Sequence, residues 1–504
     1  MGDPHIERLN LNEKTLWIGG PSPLREGYRG GNIPGSHKAL ERVRAALEEG
    51  DQERAVREMS GLTGATDGYG AYQTFGSLLI VTPAAKEKEV LNYRRMLNLD
   101  EAMVTVEYSI DGASYKREYY ASYPDRVMIV TLNVAQDAEV IIGWDGDSVI
   151  EGAAIEALSG TGEGKEAGRI ICEGALKDNG LQYAADVVVL AEGDNKSVET
   201  VALSEEDIHL RGALRISGAQ NIYLLIALAT DYANIYPHYR SGIAAKDTVK
   251  ELINKALKRG VDKIRKSALD DHRRLFERCD ITLCEGDLSR ERARFTDELL
   301  KDYREKKASD SERRYLEMLY FQYGRYLLIA SSRPGTLPAN LQGVWNESNT
   351  PPWSCDYHTN VNIQMNYWPA CVTNLAETEV SYVDYVDSMR TPGRVTAADY
   401  YNILSDEKHP ENGWAVHTQN NPFGWTCPGW DYTWGWSTAA AAWLVWHMWD
   451  YYEYTSDEET LKTRIYPTLR ETALFYLQFL YYNEAQGRYT ATPTYSPEHG
   501  PISV

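Results

Sequence analysis

Two hydrophobic periods divide the chain. Through about residue 245 the apolar positions alternate with polar ones, or form short runs bounded by Gly, Asp and Asn, which predicts strands. In MVTVEYSIDGASYKREYYASYPDRVMIVTLNV, Val104, Val106, Tyr108 and Ile110 alternate up to Asp111-Gly112, a pair that favours a tight hairpin. SLLIV, EVIIGW, YAADVVVLA and NIYLLIALA read as further strands of a large antiparallel sandwich. From Lys246 to Arg274 the period becomes helical, with Val249, Leu252, Ile253, Ala256, Val261 and Ile264 set among Lys and Arg, as in a linker helix with a solvated basic face. From about residue 311 the helical period dominates, in SERRYLEMLYFQYGRYLLIASS, LAETEVSYVDYVDSMR, STAAAAWLVWHMWDYYEYTS and ETLKTRIYPTLRETALFYLQFLYYNE. The expected fold class is α+β and multidomain: a β-domain over 1–245, a helical linker with a returning strand over 246–310, and a helical domain over 311–504.

Long loops rich in Gly, Pro, Trp, Asn and His separate these helices, and loops on rigid scaffolds are where sites tend to lie. In DYHTNVNIQMNYWP, His358, Asn360, Asn362, Gln364 and Asn366 fall at every second position. If extended, the segment would present one imidazole and several amides on one side, a row suited to a hydroxyl-rich ligand. Loop asparagines also commonly bond their own backbone, which is the bland alternative. A second loop, GWAVHTQNNPFGWTCPGWDYTWGW, carries His417 and several Trp including Trp430. With Trp353 of the preceding loop, Trp414, Trp425, Trp430, Trp434 and Trp436 could offer flat faces to the CH faces of sugars, although packing between helices is the ordinary role of any single Trp. A third, TATPTYSPEHG, holds Glu498 between prolines and aromatics, where partial exclusion of water would favour the neutral, proton-donating carboxyl.

A net charge of −21 argues against nucleic acid and anionic membrane surfaces as partners. No run of about 18 apolar residues occurs and the first residues lack an apolar signal-like core, so a cytoplasmic address is expected. The six cysteines have no CxxC or metal-finger spacing and are expected to be reduced thiols, with no metal and no cofactor. The 35 Tyr and 13 Trp against 7 Phe fit wet cores and sugar-binding surfaces alike.

With these residues in view, the chain resembles the glycoside hydrolases of family 95, the inverting 1,2-α-L-fucosidases and their relatives. The likeness runs through LNEKTLWIGGP, YQTFGSLLIV, YRRMLNLDEA, REYYASYPDRV, SSRPGTLPANLQGVWN, YHTNVNIQMNYWPA and SPEHG. It implies an N-terminal β-supersandwich, a helical linker and an (α/α)6 barrel, here partial. It also implies that Glu498 protonates the leaving glycosidic oxygen, that Asn360 and Asn362 hold the attacking water, and that His358 contacts the sugar of a fucosylated oligosaccharide; the reading of the second loop adds His417 and Trp430 as expected substrate contacts. An amide oxygen accepts a hydrogen bond but takes no proton, so a carboxylate base is still required. In the family that base is an aspartate of the later barrel, so a complementing C-terminal barrel fragment is expected as a partner. Asp356 and Asp431 are read as loop hydrogen-bonders rather than substitutes for it. Cys371 stands where the family usually has glutamate. The same scaffold leaves an α-L-galactosidase, or an inactive carbohydrate-binding fragment, as alternatives.

Overall fold

The computed structural model describes residues 2–160, 166–205, 208–284, 286–484 and 486–500. Two antiparallel sheets form the N-terminal domain. The smaller is ordered Ile6–Asn10, Ser77–Val81, Val140–Asp145, Ile208–Ser217 and Ser197–Glu205. The larger has eight strands, ordered Ala154–Ser159, Glu166–Ala175, Gln182–Glu192, Asn221–Thr230, Val127–Asn133, Ala113–Ser122, Met103–Ile110 and Val90–Asn98. The Asp-Gly hairpin forms as its sequence demands: Ile110 pairs with Ala113, and Asp111 and Gly112 take φ of 51° and 80°, the left-handed pair that such a two-residue turn needs.

The runs of the larger sheet are apolar on both sides because each face has a cover. Val187, Val189, Leu224 and Ile226 meet Leu78, Ile80, Ile142, Trp144 and Leu214 of the smaller sheet. The alternate residues Val188, Leu225, Ala227 and Ala229 pack instead on Val249, Leu252, Ile253 and Ala256 of the Ala245–Arg259 helix. The basic linker thus buries its apolar stripe on a sheet and leaves Lys and Arg to water. Among the described residues of 246–310 there are four helices and no returning strand. Between the second and third of these helices, Asp280 to Cys284 has no regular structure.

A capping box, Ser309 with Glu312, starts the Asp310–Ser331 helix. The helices Asn362–Val372, Ala376–Tyr401, Ala440–Thr455 and Tyr466–Phe479 come after it, and the helical half has a core built on Tyr382, Val386, Met389, Trp414, Leu444 and Met448. None of the described helices is long and apolar enough to cross a membrane. All six cysteines are free thiols.

Within the span read as pure sandwich lie two helices of eight residues or more, His37–Glu48 and Gln52–Met59. Ala39, Leu40, Val43, Ala46 and Leu47 line one face of the first, and this face, with Tyr69, packs on Ala397, Tyr400, Trp425 and Trp436 of the helical region. A piece of the N-terminal domain therefore sits against the loops that carry the site residues.

Candidate active site

The site residues converge on the segment 356–362. Tyr357–His358 is a two-residue strand paired with Gln419–Asn420, so His358 lies opposite Gln419. Thr359 anchors the end of this strand, its backbone N–H donating to Thr418 O at 2.8 Å and its Oγ1 to His417 O at 3.0 Å. The extended stretch ends there. Asn360 lies in a turn and Asn362 is the first residue of a helix, so the five-residue row expected from alternate spacing is not formed. Gln364 is buried and donates to Thr359 O at 2.6 Å, while Asn366 donates to Ala339 O at 3.2 Å. These two amides serve the backbone. His358 is partly open, Asn360 half-buried and Asn362 exposed.

Asn360 Nδ2 donates to Pro497 O at 3.2 Å, which brings the first amide against the residue before Glu498. The acid loop is held from several sides. Arg44 Nε donates to Thr492 O at 2.8 Å, Tyr432 stacks edge-on against Tyr495 at 5.6 Å, and His499 and Gly500 N–H close a turn on Ser496 O. Glu498 itself is exposed, so the partial exclusion from water expected for it is not met.

His417 is placed differently from its expected role as a sugar contact. Its ring has no exposure; Nδ1 accepts from Ser437 N–H at 3.0 Å and Nε2 bonds Tyr401 OH at 3.2 Å. Both nitrogens are thus committed to the protein. Burial drives its pKa down to about 3, so the ring is neutral, with the proton on Nε2. It forms part of the floor under Thr359 rather than a ligand contact.

The surrounding loop obeys the same rule. Residues 413–429 are buried throughout, and a buried loop must satisfy its own carbonyls. Asn420 Nδ2 does so for His417, Gln419 and Trp425, and Asn421 Nδ2 for Tyr69. Trp414, Trp425 and Trp436 have no exposure and are core, which corrects the expectation that this loop exposes most of its Trp. Gly31 is required here, since a Cβ would stand 2.2 Å from the Trp425 ring. Trp430 is 42% exposed and remains an open aromatic face beside the site, edge-on to Tyr69 at 5.3 Å and to Trp434 at 5.1 Å.

Reading the sequence misses Tyr69, which is central through Asp356. Asp356 is fully buried, one carboxylate oxygen bonded to His358 Nδ1 and the other to Tyr69 OH. Burial raises its pKa, opposed by the bonds from His358 and Tyr69. Asp431 caps a short helix by accepting from Thr433 N–H at 2.9 Å. Neither is a free carboxylate. Cys371 directs Sγ to Glu379 at 3.0 Å, within the helix packing and away from the amides. Among the described residues no group of three or more His, Cys, Asp or Glu is arranged to hold a metal. A cavity of about 1160 Å³ opens elsewhere, between the larger sheet and the helices near His272 and Tyr326; Asn360, Asn362, His358 and Glu498 are not among its walls.

Comparison with known proteins agrees with this architecture. Residues 1–235 match the glycosyl hydrolase family 65 N-terminal domain and residues 260–504 the glycosyl hydrolase family 95 catalytic domain. A probable alpha-fucosidase A of Aspergillus niger is 31% identical over 99% of this chain and 60% of its own length. Alpha-L-fucosidase 2 of Arabidopsis thaliana is 29% identical over 99% of this chain and 58% of its own. The chain thus spans about three fifths of the curated relatives it matches. A putative kojibiose phosphorylase from human microbiome shares the fold, with TM-score 0.55 at 11% identity over 85% of this chain and 53% of its own. With its sandwich, its helical half and the residues that converge from both, the chain belongs to glycosyl hydrolase family 95.

Proposed function

We propose that this chain carries the acid side of an inverting α-L-fucosidase site, cleaving terminal α-1,2-linked L-fucosyl residues from oligosaccharides, with the helical half forming part of an (α/α)6 barrel. The observation that carries the reading is the hydrogen bond from Asn360 to Pro497, which sets Asn360, two residues before Asn362, beside the turn that bears Glu498. Glu498 has ready access to an incoming glycosidic oxygen and acts as the general acid. Asn360 and Asn362 supply carbonyl acceptors and N–H donors that can hold a water for in-line attack, while Trp430 offers a face to the sugar ring.

Inversion needs a carboxylate base across the sugar, roughly 6.5–9.5 Å from the acid, with the water between them. Asp356 has both oxygens on protein donors and Asp431 commits Oδ1 to its helix cap, so the base is assigned to a complementing later segment of the barrel. This same observation favours a second reading, a sugar-binding chain that does not turn over alone. Release of L-fucose from a 2′-fucosylated oligosaccharide tests the first reading. Glu498→Gln should lower kcat by about 10²–10⁴-fold, and Asn362→Ala should lower kcat while sparing KM. Unchanged turnover in Glu498→Gln would remove the acid assignment, and faster release of L-galactose from matched substrates would reassign the sugar.

A further inference from the structure

We propose that Tyr69 and Asp356 are positioning residues that fix His358 in its Nδ1–H tautomer, so that Nε2 meets the sugar as a hydrogen-bond acceptor and selects for a hydroxyl at that point. The inference rests on the reading of Asn360, Asn362 and Glu498 as a sugar-cleaving site.

Asp356 has no exposure, and each of its oxygens has one partner, His358 Nδ1 on one side and Tyr69 OH on the other. An ionised carboxylate only accepts, so Nδ1 carries the proton and the phenol donates. In the neutral ring the lone pair lies on Nε2, which no described residue bonds, while 16% of the side chain is accessible. Such an atom accepts from a hydroxyl and rejects a ring oxygen or a fluorine.

Tyr69 is itself fixed. It stands edge-on between Trp425 at 5.0 Å and Trp430 at 5.3 Å, and its carbonyl accepts from Asn421 Nδ2 at 2.7 Å. One residue of the N-terminal domain thereby sets both the imidazole and the open indole. Asp356 depends on its two donors, because burial alone favours the protonated acid. Without the phenol, a protonated Asp356 would donate to Nδ1 and the ring proton would move to Nε2, turning an acceptor toward the sugar into a donor.

The test is ¹⁵N NMR of the full chain labelled at histidine and tryptophan, with the His358 and Trp430 signals identified by their loss in His358→Gln and Trp430→Phe. The wild type should give a protonated Nδ1 and a bare Nε2, and L-fucose should move the Nε2 signal. Asp356→Asn, whose amide can donate to Nδ1, should invert the tautomer and weaken L-fucose binding about tenfold. Tyr69→Phe, a milder change, should shift the ring toward the same inverted state. A protonated Nε2 in the wild type, or a tautomer indifferent to both substitutions, overturns the proposal. The tautomer is read without turnover, so an inactive chain with the expected signals still supports the positioning. If L-fucose moves the Trp430 signal and leaves Nε2 unmoved, the acceptor role is overturned while the sugar site stands. If L-fucose moves neither, the reading as a fucose site falls, and the acceptor role falls with it.

Discussion

Lowering the pH from 7 to 5 should loosen the floor of the site through His417. The folded protein holds this ring neutral, with a pKa of about 3 caused by burial, against about 6.5 for an unfolded histidine. Above pH 6.5 neither state binds a proton and the residue is neutral to stability. Between 6.5 and 3 the unfolded state binds a proton that the folded state refuses, so stability falls as pH falls. From pH 7 to 5 the loss is about 2 kcal/mol, or roughly a thirty-fold rise in the local opening equilibrium. Ser437 N–H donates to Nδ1, and the backbone N–H of His417 to Thr426 O at 3.1 Å, so both amides report the opening. Hydrogen exchange at these amides, corrected for the intrinsic rate, should show the rise, and His417→Gln, which cannot titrate, should flatten it. A ring titration midpoint near 6.5, or exchange that ignores pH over this range, would refute the reasoning.

Three further outcomes are expected. Glu379 is buried beside Asp450, and its pKa is raised to about 7, first by desolvation, so the stability present below pH 4.5 is lost as pH rises through 7. Glu379→Gln should therefore melt above the wild type at pH 8, where about 3 kcal/mol is at stake, with the gap closing at pH 5. Arg117 is buried and donates to Glu7, Tyr108 OH and the carbonyls of Asp3 and Pro4. Arg117→Met should cost about 3–5 kcal/mol in denaturant unfolding because it leaves Glu7 buried and uncompensated. Trp443, Trp446 and Trp449 recur on one exposed flank of the 440–455 helix, with Trp368 against His447. Such a patch favours association, so sedimentation velocity should find concentration-dependent oligomers that Trp446→Glu disperses.

Local patterns make the sheets and most helices legible. The Asp111-Gly112 turn and the doubly apolar Gln182–Glu192 strand arise from conformation and burial within short windows. The amphipathic pattern of Ala39, Leu40, Val43, Ala46 and Leu47 is equally readable, but it lies among strand-like segments and is easily absorbed into the sandwich. In the site, alternate spacing suggests a row, whereas the helix starting at Asn362 redirects Gln364 and Asn366 to backbone carbonyls. Whether a loop Trp or His is core or open depends on chain that arrives from far away, as Trp436 against His417 and Tyr401 illustrates. Asp356 is a hydrogen-bonder, as its loop setting suggests. Its partner Tyr69 stands 287 residues away, and no local signal joins the two.

A crystal structure of the chain soaked with L-fucose tests the central claim most directly. The account predicts the sugar ring between the Glu498 carboxyl and the amides of Asn360 and Asn362, with Trp430 against its apolar face. A sugar seated instead in the cavity between the larger sheet and the helices, with the amides and Glu498 untouched, would contradict it.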